Sequence, residues 1–336
     1  LDVGYERMAD MAAEKVKEGY SIMIFPEGHR SDTGEIKRFH KGAFQLASKL
    51  NIDILPIIIH GQNQCLKKSE FFLKRGSVFT KILPRIDLSK NEYGTTIKEQ
   101  TKAIQSYFKS EYAKVQASQE TPEYFSDYLK KNYLYKGPVI EWYTKIKIRL
   151  EGNYTLFTKI IPKKAKITDL GCGYGYLDYM LSLTSKERQI TGIDYDPNKI
   201  EIANNCAIKN DRVNFKTGDI IEMELDESDV FILSDVLHYM PVALQIKTLE
   251  KCIKRLNQGG MILIRDADKS LQKRHKGTVI TEIISTNLGF NKKLFKLEFV
   301  SREMIQNFAD SHDLSLEIID HTHKTSNLIY ILQTSS

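Results

Sequence analysis

Two periods alternate along the rear of this chain. In the stretch 166–194, Ile167, Asp169 and Leu170 read as a short buried strand, glycines follow at 171, 173 and 175, and Leu177, Met180, Leu181 and Leu183 then recur at helical spacing. A second strand over 189–193 ends on Asp194. Pro197 suits the first position of a helix running to about residue 208, and strands are predicted over 213–216, 229–233 and 261–265. The 229–233 segment is apolar throughout, as a central parallel strand should be. A helix over 242–256 and a turn over 257–260 fill the interval, and late strands over 314–320 and 327–333 bring the count to seven. Strands with intervening helices predict an α/β class, a doubly wound sheet.

The front of the chain is patterned differently. An amphipathic helix over 5–17 closes at Gly19, and a strand is predicted over 21–25. A helix over 42–50 leads to a strand over 54–59, whose Pro56 marks a strand end or an edge. A further strand over 77–83 and a helix over 95–115 complete this region. The polar patch 116–121, followed by Pro122, is the best domain boundary. Helix-like pieces broken at Gly137-Pro138 and Gly152 come next. The expected organisation is 1–117, a helical linker or cap over 118–150, and 151–336.

Composition narrows the class. With 336 residues, 41% hydrophobic and 27% charged, the chain is an ordinary globular protein of about two domains. Its four cysteines are scattered with no C-x-x-C pair, so no metal site is expected and a reducing, cytoplasmic setting is. No apolar run approaches the ~18 residues of a membrane span. The net charge of +6 is concentrated forward, with 19 basic against 14 acidic side chains in residues 1–118. A second basic run, 130–166, has ten Lys or Arg against Glu141 and Glu151. Peripheral contact with an anionic membrane is one reading of this excess, and a solvated helix face is the other. Nucleic acid is not an expected partner.

The glycine turn carries the chemistry. Without a Cβ the backbone approaches a ligand closely, and the helix that follows aims its free N–H groups at it. An acid about twenty residues on, here Asp194, marks a nucleoside held at the carboxyl ends of parallel strands. A dinucleotide fingerprint would need a small residue at 176, which is Tyr176. The sequence D-L-G-C-G-Y-G, from Asp169, resembles motif I of the class I S-adenosylmethionine-dependent methyltransferases, with a Rossmann-like fold, over about 138–334. That resemblance implies S-adenosyl-L-methionine as cofactor, held by Asp169, Gly171, Gly173, Tyr174, Gly175, Asp194 and Tyr195. It further implies Asp219 and Ile220 at the adenine, and Ser234 and Asp235 near the transferring methyl group. Tyr133, Tyr135, Trp142 and Tyr143 are candidates to bind an acceptor from a helical cap. His238 and His275 are candidate bases, and Arg274, Thr281 and Glu282 candidate selectors of a small-molecule or lipid-derived acceptor.

Two motifs in the front region resemble those of the lysophospholipid acyltransferases: F-P-E-G-H-R-S over 25–31 and L-P-I-I-I-H-G over 55–61. By this resemblance Glu27, Gly28 and Arg30 would form the pocket for the acceptor's phosphate, which suits a guanidinium's paired hydrogen bonds. His29 stands where the family has Thr. None of the eight histidines is followed five positions later by Asp, so the family's His-x-x-x-x-Asp dyad is missing and acyl transfer is not expected. His29 and His40 are the substitutes to weigh. The domain pairing resembles the rear of bacterial fusion polypeptides in which a lipid-exporter-type membrane domain precedes both. It implies part of a longer polypeptide at the cytoplasmic face of the inner membrane, an expectation also suggested by the start at Leu1. The alternatives are a 1-acylglycerol-3-phosphate-type acyltransferase in the full-length protein with the methyltransferase domain as accessory, an NAD-dependent oxidoreductase, and a non-catalytic module that holds lipid or a partner.

Overall fold

The computed structural model describes residues 2–66, 68, 70–134, 136–150, 153–271, 297–321 and 326–334. The chain forms two compact units, Leu1–Glu120 and Thr121–Ser336.

In the first unit, α1 (Asp2–Lys17) precedes α2 (Gly42–Leu50), which buries Phe44, Leu46 and Ala47 and ends on left-handed Asn51. Strand β1 (Ile57–His60) pairs antiparallel with β2 (Phe79–Ile82), and the single-turn α3 (Gln62–Cys65) lies between them in sequence. Pro56 sits just before β1, where it donates nothing and its carbonyl accepts from the Leu83 N–H. Helix α4 (Ile97–Gln119) opens with a capping box between Thr96 and Glu99. Phe39, Phe44, Ile86 and Ile104 form one small core, and Ile58, Leu83, Tyr112 and Val115 another.

One expectation needs correction here. Residues 21–25 form no strand, because none of the described strands pairs with them to complete a ladder. Met23, Ile24 and Phe25 accordingly stay 70%, 44% and 64% exposed. Residues 116–119 form the last turn of α4, and the two units divide just after it, between Glu120 and Thr121. Thr121 then caps the next helix, with Pro122 in its first turn.

The second unit begins with α5 (Pro122–Lys131), α6 (Pro138–Leu150) and α7 (Asn153–Ile160). Then come β3 (Lys164–Leu170), α8 (Tyr176–Thr184), β4 (Glu187–Asp194), α9 (Pro197–Asn204), β5 (Val213–Thr217), β6 (Ser228–Ser234), α10 (Val242–Lys254) and β7 (Leu256–Ala267). Helix α11 (Arg302–Ser311) and strands β8 (Leu314–Ile319) and β9 (Asn327–Thr334) follow. The sheet order is β5-β4-β3-β6-β7-β9-β8, with β9 antiparallel to both its neighbours. The period of two divides the core: Val230 and Ile232 pack in one layer, Phe231 and Leu233 in the other.

Residues 257–260 belong to β7 rather than to a separate turn. Ser228 pairs with Leu256 but Val230 with Met261, so the extra residues bulge out of register. Asn257 Nδ2 ties the bulge to Asp229 Oδ1 at 2.7 Å. Among the described residues no helix is long and apolar enough to cross a membrane. The strand order reverses between β3 and β6, and the crevice at that switch point is where a ligand can reach backbone at the carboxyl ends of strands.

Candidate active site

A cavity lies at the ends of β3, β4 and β6, walled by α6 and α7 of the preceding helices. Its floor is the glycine turn. Gly171 and Cys172 both donate backbone hydrogens to the Ile193 carbonyl, at 2.7 and 3.0 Å, which folds the turn back over the end of β4. Gly175 is left-handed (φ +75°) and a Cβ there would lie 2.4 Å from the Phe215 ring, so its bareness serves helix packing. Gly173 is also left-handed (φ +58°), but a Cβ there would meet no atom within 4 Å. Its missing side chain leaves room in the cavity it lines.

Asp194, at the end of β4, uses both carboxylate oxygens on backbone. Oδ2 accepts from Gly173 N and Oδ1 from Asp196 N, each at 2.9 Å. Each oxygen keeps a further lone pair. The same acid therefore shapes the turn and faces the cavity. Asp169, Gly171, Gly173, Tyr174, Tyr195, Asp219, Ile220, Ser234 and Asp235 line the cavity with it. Gly175 is the one expected cofactor contact that does not.

Asp235 is held in a left-handed conformation (φ +58°) that a non-glycine residue adopts only with support. The Arg265 guanidinium pairs with its Oδ2, and Lys147 Nζ lies 3.7 Å from the same oxygen. Burial pushes this carboxyl up, and the two cations more than reverse that, holding it below the usual carboxylate range.

His238 does not face the cavity. It is 1% exposed, its Nδ1 lies 2.7 Å from Asp266 Oδ1, and its backbone N–H donates to Asp266 Oδ2. Its ring stacks on Phe299 at 5.4 Å. Its neighbours Tyr239 and Met240 are the ones that line the cavity. The ring turns toward β7 because a buried imidazole needs a polar partner, and Asp266 supplies one. His275, Arg274, Thr281 and Glu282 lie outside the described residues, as does Tyr135.

The helical wall contributes what sequence reading missed. Tyr143 lines the cavity as expected, but so do Lys147, Asn153, Tyr154, Phe157 and Tyr176. Tyr143 and Lys147 are four apart on α6, a spacing that shares one helix face and was readable in sequence. Trp142, beside them, is exposed and outside the lining. Tyr133 is fully buried, and its hydroxyl donates to the Tyr174 carbonyl at 2.8 Å, securing the turn from behind. Lys199, in the first turn of α9, is buried in the lining with its Nζ over the Tyr174 ring. Burial lowers its pKa against the opposing pull of Asp194 and Asp196. Burial likewise pushes the Tyr174 phenol up to about 12, so it remains neutral.

Below the turn, Asp178 is fully buried near Asp169. Burial raises its pKa, because neither carboxylate oxygen has a hydrogen-bond partner among the described residues to favour the charged form. In the first unit, Glu27, Gly28 and Arg30 sit in one turn, Glu27 half-buried and the other two exposed. Glu27 Oε2 accepts from Lys37 N at 2.7 Å, and Arg30 Nη1 donates to the Leu66 carbonyl at 3.4 Å. His29 and His40 are exposed.

Residues 161–324 match the family model of a methyltransferase domain, and residues 4–60 that of an acyltransferase. Over 87 residues the chain is 39% identical to a 1-acyl-sn-glycerol-3-phosphate acyltransferase of Borreliella burgdorferi, covering 25% of this chain and 35% of that protein. Over 112 residues it is 28% identical to a carboxy-S-adenosyl-L-methionine synthase of Campylobacter lari, covering 33% of this chain and 48% of the synthase. The solved structure of the N-methyltransferase NodS from Bradyrhizobium japonicum with S-adenosyl-l-homocysteine aligns with 63% of this chain and 98% of its own. Its identity is 15% and its TM-score 0.42, too distant to carry chemistry across. The chain thus spans roughly a third to a half of the length of these two curated relatives. It carries a methyltransferase domain over residues 161–324, preceded over residues 4–60 by a segment of the acyltransferase family.

Proposed function

We propose that the second unit transfers a methyl group from S-adenosyl-L-methionine to a small-molecule or lipid-derived acceptor. The observation that carries this reading is the pairing of Gly173, whose missing Cβ opens the cavity floor, with Asp194, which both holds that floor and keeps lone pairs for ribose hydroxyls. The residues present fit the cofactor. Asp219 and Ile220 are the polar and apolar partners for an adenine, and the tyrosine faces suit a sulfonium. S-adenosyl-L-methionine supplies an electrophilic methyl group, so the protein's task is to hold the acceptor in line and exclude water. Tyr143, Tyr154, Phe157 and Tyr239 bound the space for that acceptor. Calorimetry is the direct test. S-adenosylhomocysteine is expected to bind and NADH is not, and the reverse result overturns the reading. Mass spectrometry of lipid extracts incubated with protein and deuterated methyl donor would then identify the acceptor.

A carboxylate-bearing acceptor or donor is the second reading. Lys147 and Lys199 place two cations in the lining, and one relative bears the name of a carboxy-S-adenosyl-L-methionine synthase. A carboxylated nucleoside product, sought in the same mass spectra, distinguishes it.

For the first unit we propose phosphate binding at Glu27, Gly28 and Arg30 without acyl transfer, since the dyad is missing from the sequence. The same reading takes this unit to meet an anionic membrane at its cytoplasmic face, as part of a longer polypeptide.

A further inference from the structure

The loop 66–76 of the first unit reads L-K-K-S-E-F-F-L-K-R-G, four basic residues against Glu70 around a Phe-Phe-Leu centre. Phe71, Phe72 and Leu73 are 97%, 85% and 79% exposed, the largest consecutive exposure of big apolar side chains among the described residues. Isolated exposed apolar residues need no explanation, but three in succession keep an unfavourable water contact that a partner would relieve.

The loop is closed at its neck. Lys74 N donates to the Cys65 carbonyl at 2.7 Å, and a Cβ on Gly76 would lie 2.8 Å from Cys65 Sγ, so the two strands of the loop touch there. The apolar tip is thus presented on a fixed base. Lys68, Lys74 and Arg75 flank it, all exposed. An apolar tip between cations matches one surface chemistry, the boundary of an anionic bilayer, where the rings enter the acyl region and the cations meet headgroups.

The neck also adjoins the proposed phosphate turn. Arg30 Nη1 donates to the carbonyl of Leu66, and Lys68 Nζ lies 3.8 Å from Asp32. We propose that the loop 66–76 inserts Phe71, Phe72 and Leu73 into an anionic lipid surface and so brings the turn at Glu27 to Arg30 to the level of lipid phosphates. This rests on the membrane reading above and specifies the element that makes the contact.

The test is flotation of the full chain with vesicles of phosphatidylcholine alone and of phosphatidylcholine mixed with phosphatidylglycerol. The chain is expected to float with the mixed vesicles and less with the neutral ones. The variant Phe71→Ser/Phe72→Ser/Leu73→Ser should bind mixed vesicles about tenfold or more weakly, the loss expected for removing an interfacial apolar anchor. Because these side chains are 79–97% exposed, its circular dichroism and melting temperature should match the parent. Phe72→Trp, in a Trp142→Phe background, should shift its emission to the blue on vesicle addition and be quenched by brominated acyl chains.

A parent that floats with mixed vesicles beside a triple variant that floats equally well overturns the loop and leaves the membrane reading standing. A parent that floats with neither overturns both. If the triple variant changes only from dimer to monomer in size exclusion, a second copy covers the tip and the lipid assignment is overturned.

Discussion

The carboxylate of Asp194 reaches 21 residues back along the chain to hold the Gly173 N–H at 2.9 Å, tying the end of one strand to the bend that follows its neighbour. Asp194→Ala therefore removes a proposed ribose contact and an anchor of the bend together. Hydrogen bonds to charged groups are worth about 1.5–3 kcal/mol, so S-adenosylhomocysteine affinity should fall roughly ten- to a hundredfold by calorimetry. The melting temperature should fall as well. An unchanged affinity would mean that the ribose is held elsewhere.

The two glycines of the same bend should part company on mutation. Gly175→Ala drives a Cβ into the Phe215 ring and is expected to cost about 1–3 kcal/mol of stability by denaturant melts. Gly173→Ala meets open space and should cost less, about 1 kcal/mol for the left-handed backbone. Its effect should appear instead as weakened S-adenosylhomocysteine binding. Equal stability losses would contradict the distinction.

Asp178 provides a pH signature. Burial raises its folded pKa above the ordinary 3.8, so the folded chain keeps a proton that the unfolded chain gives up. The stability tied to this group is fully present below 3.8 and is lost as pH rises toward the folded pKa. Asp178→Asn suffers no such loss. The melting temperature of Asp178→Asn relative to the parent should climb from about pH 4 toward neutrality. A difference that stays flat with pH would mean that Asp178 is ionised in the fold.

His238→Asn separates support from catalysis. Loss of the buried imidazole leaves Asp266 short of a partner, for a cost of about 1–3 kcal/mol. Because the ring does not line the cavity, the pH profile of methyl transfer should keep its shape while the melting temperature drops. A profile that loses a limb would identify His238 as the base.

The sheet was legible because its strands are short alternating or wholly apolar runs, several followed at once by glycine or aspartate, as at Gly171, Gly218, Asp235 and Asp268. The glycine turn and Asp194 stood out by their spacing, and Asp169 entered through the resemblance of D-L-G-C-G-Y-G to a methyltransferase motif. Residues 21–25 look as apolar as any real strand, yet strand formation depends on a neighbouring edge, which composition does not encode. Lys147 and Lys199 were missed for the converse reason. A lysine reads as surface, and only the docking of α6 and the start of α9 against the glycine bend turns these two inward. His238 was assigned to the right loop, but whether a ring points to the cavity or to Asp266 is settled by packing.

Strand β9 lies between β7 and β8, with Leu328, Tyr330 and Leu332 wholly buried. Residues so late in the chain thus supply an inner slat of the sheet rather than its margin. During synthesis β7 must wait, one edge bare, until β9 has cleared the ribosome, whereas the first unit is already free to fold. Chains released after truncation before Asn327 should therefore be bound by chaperones and cut by proteases, and released chains that include Thr334 should not.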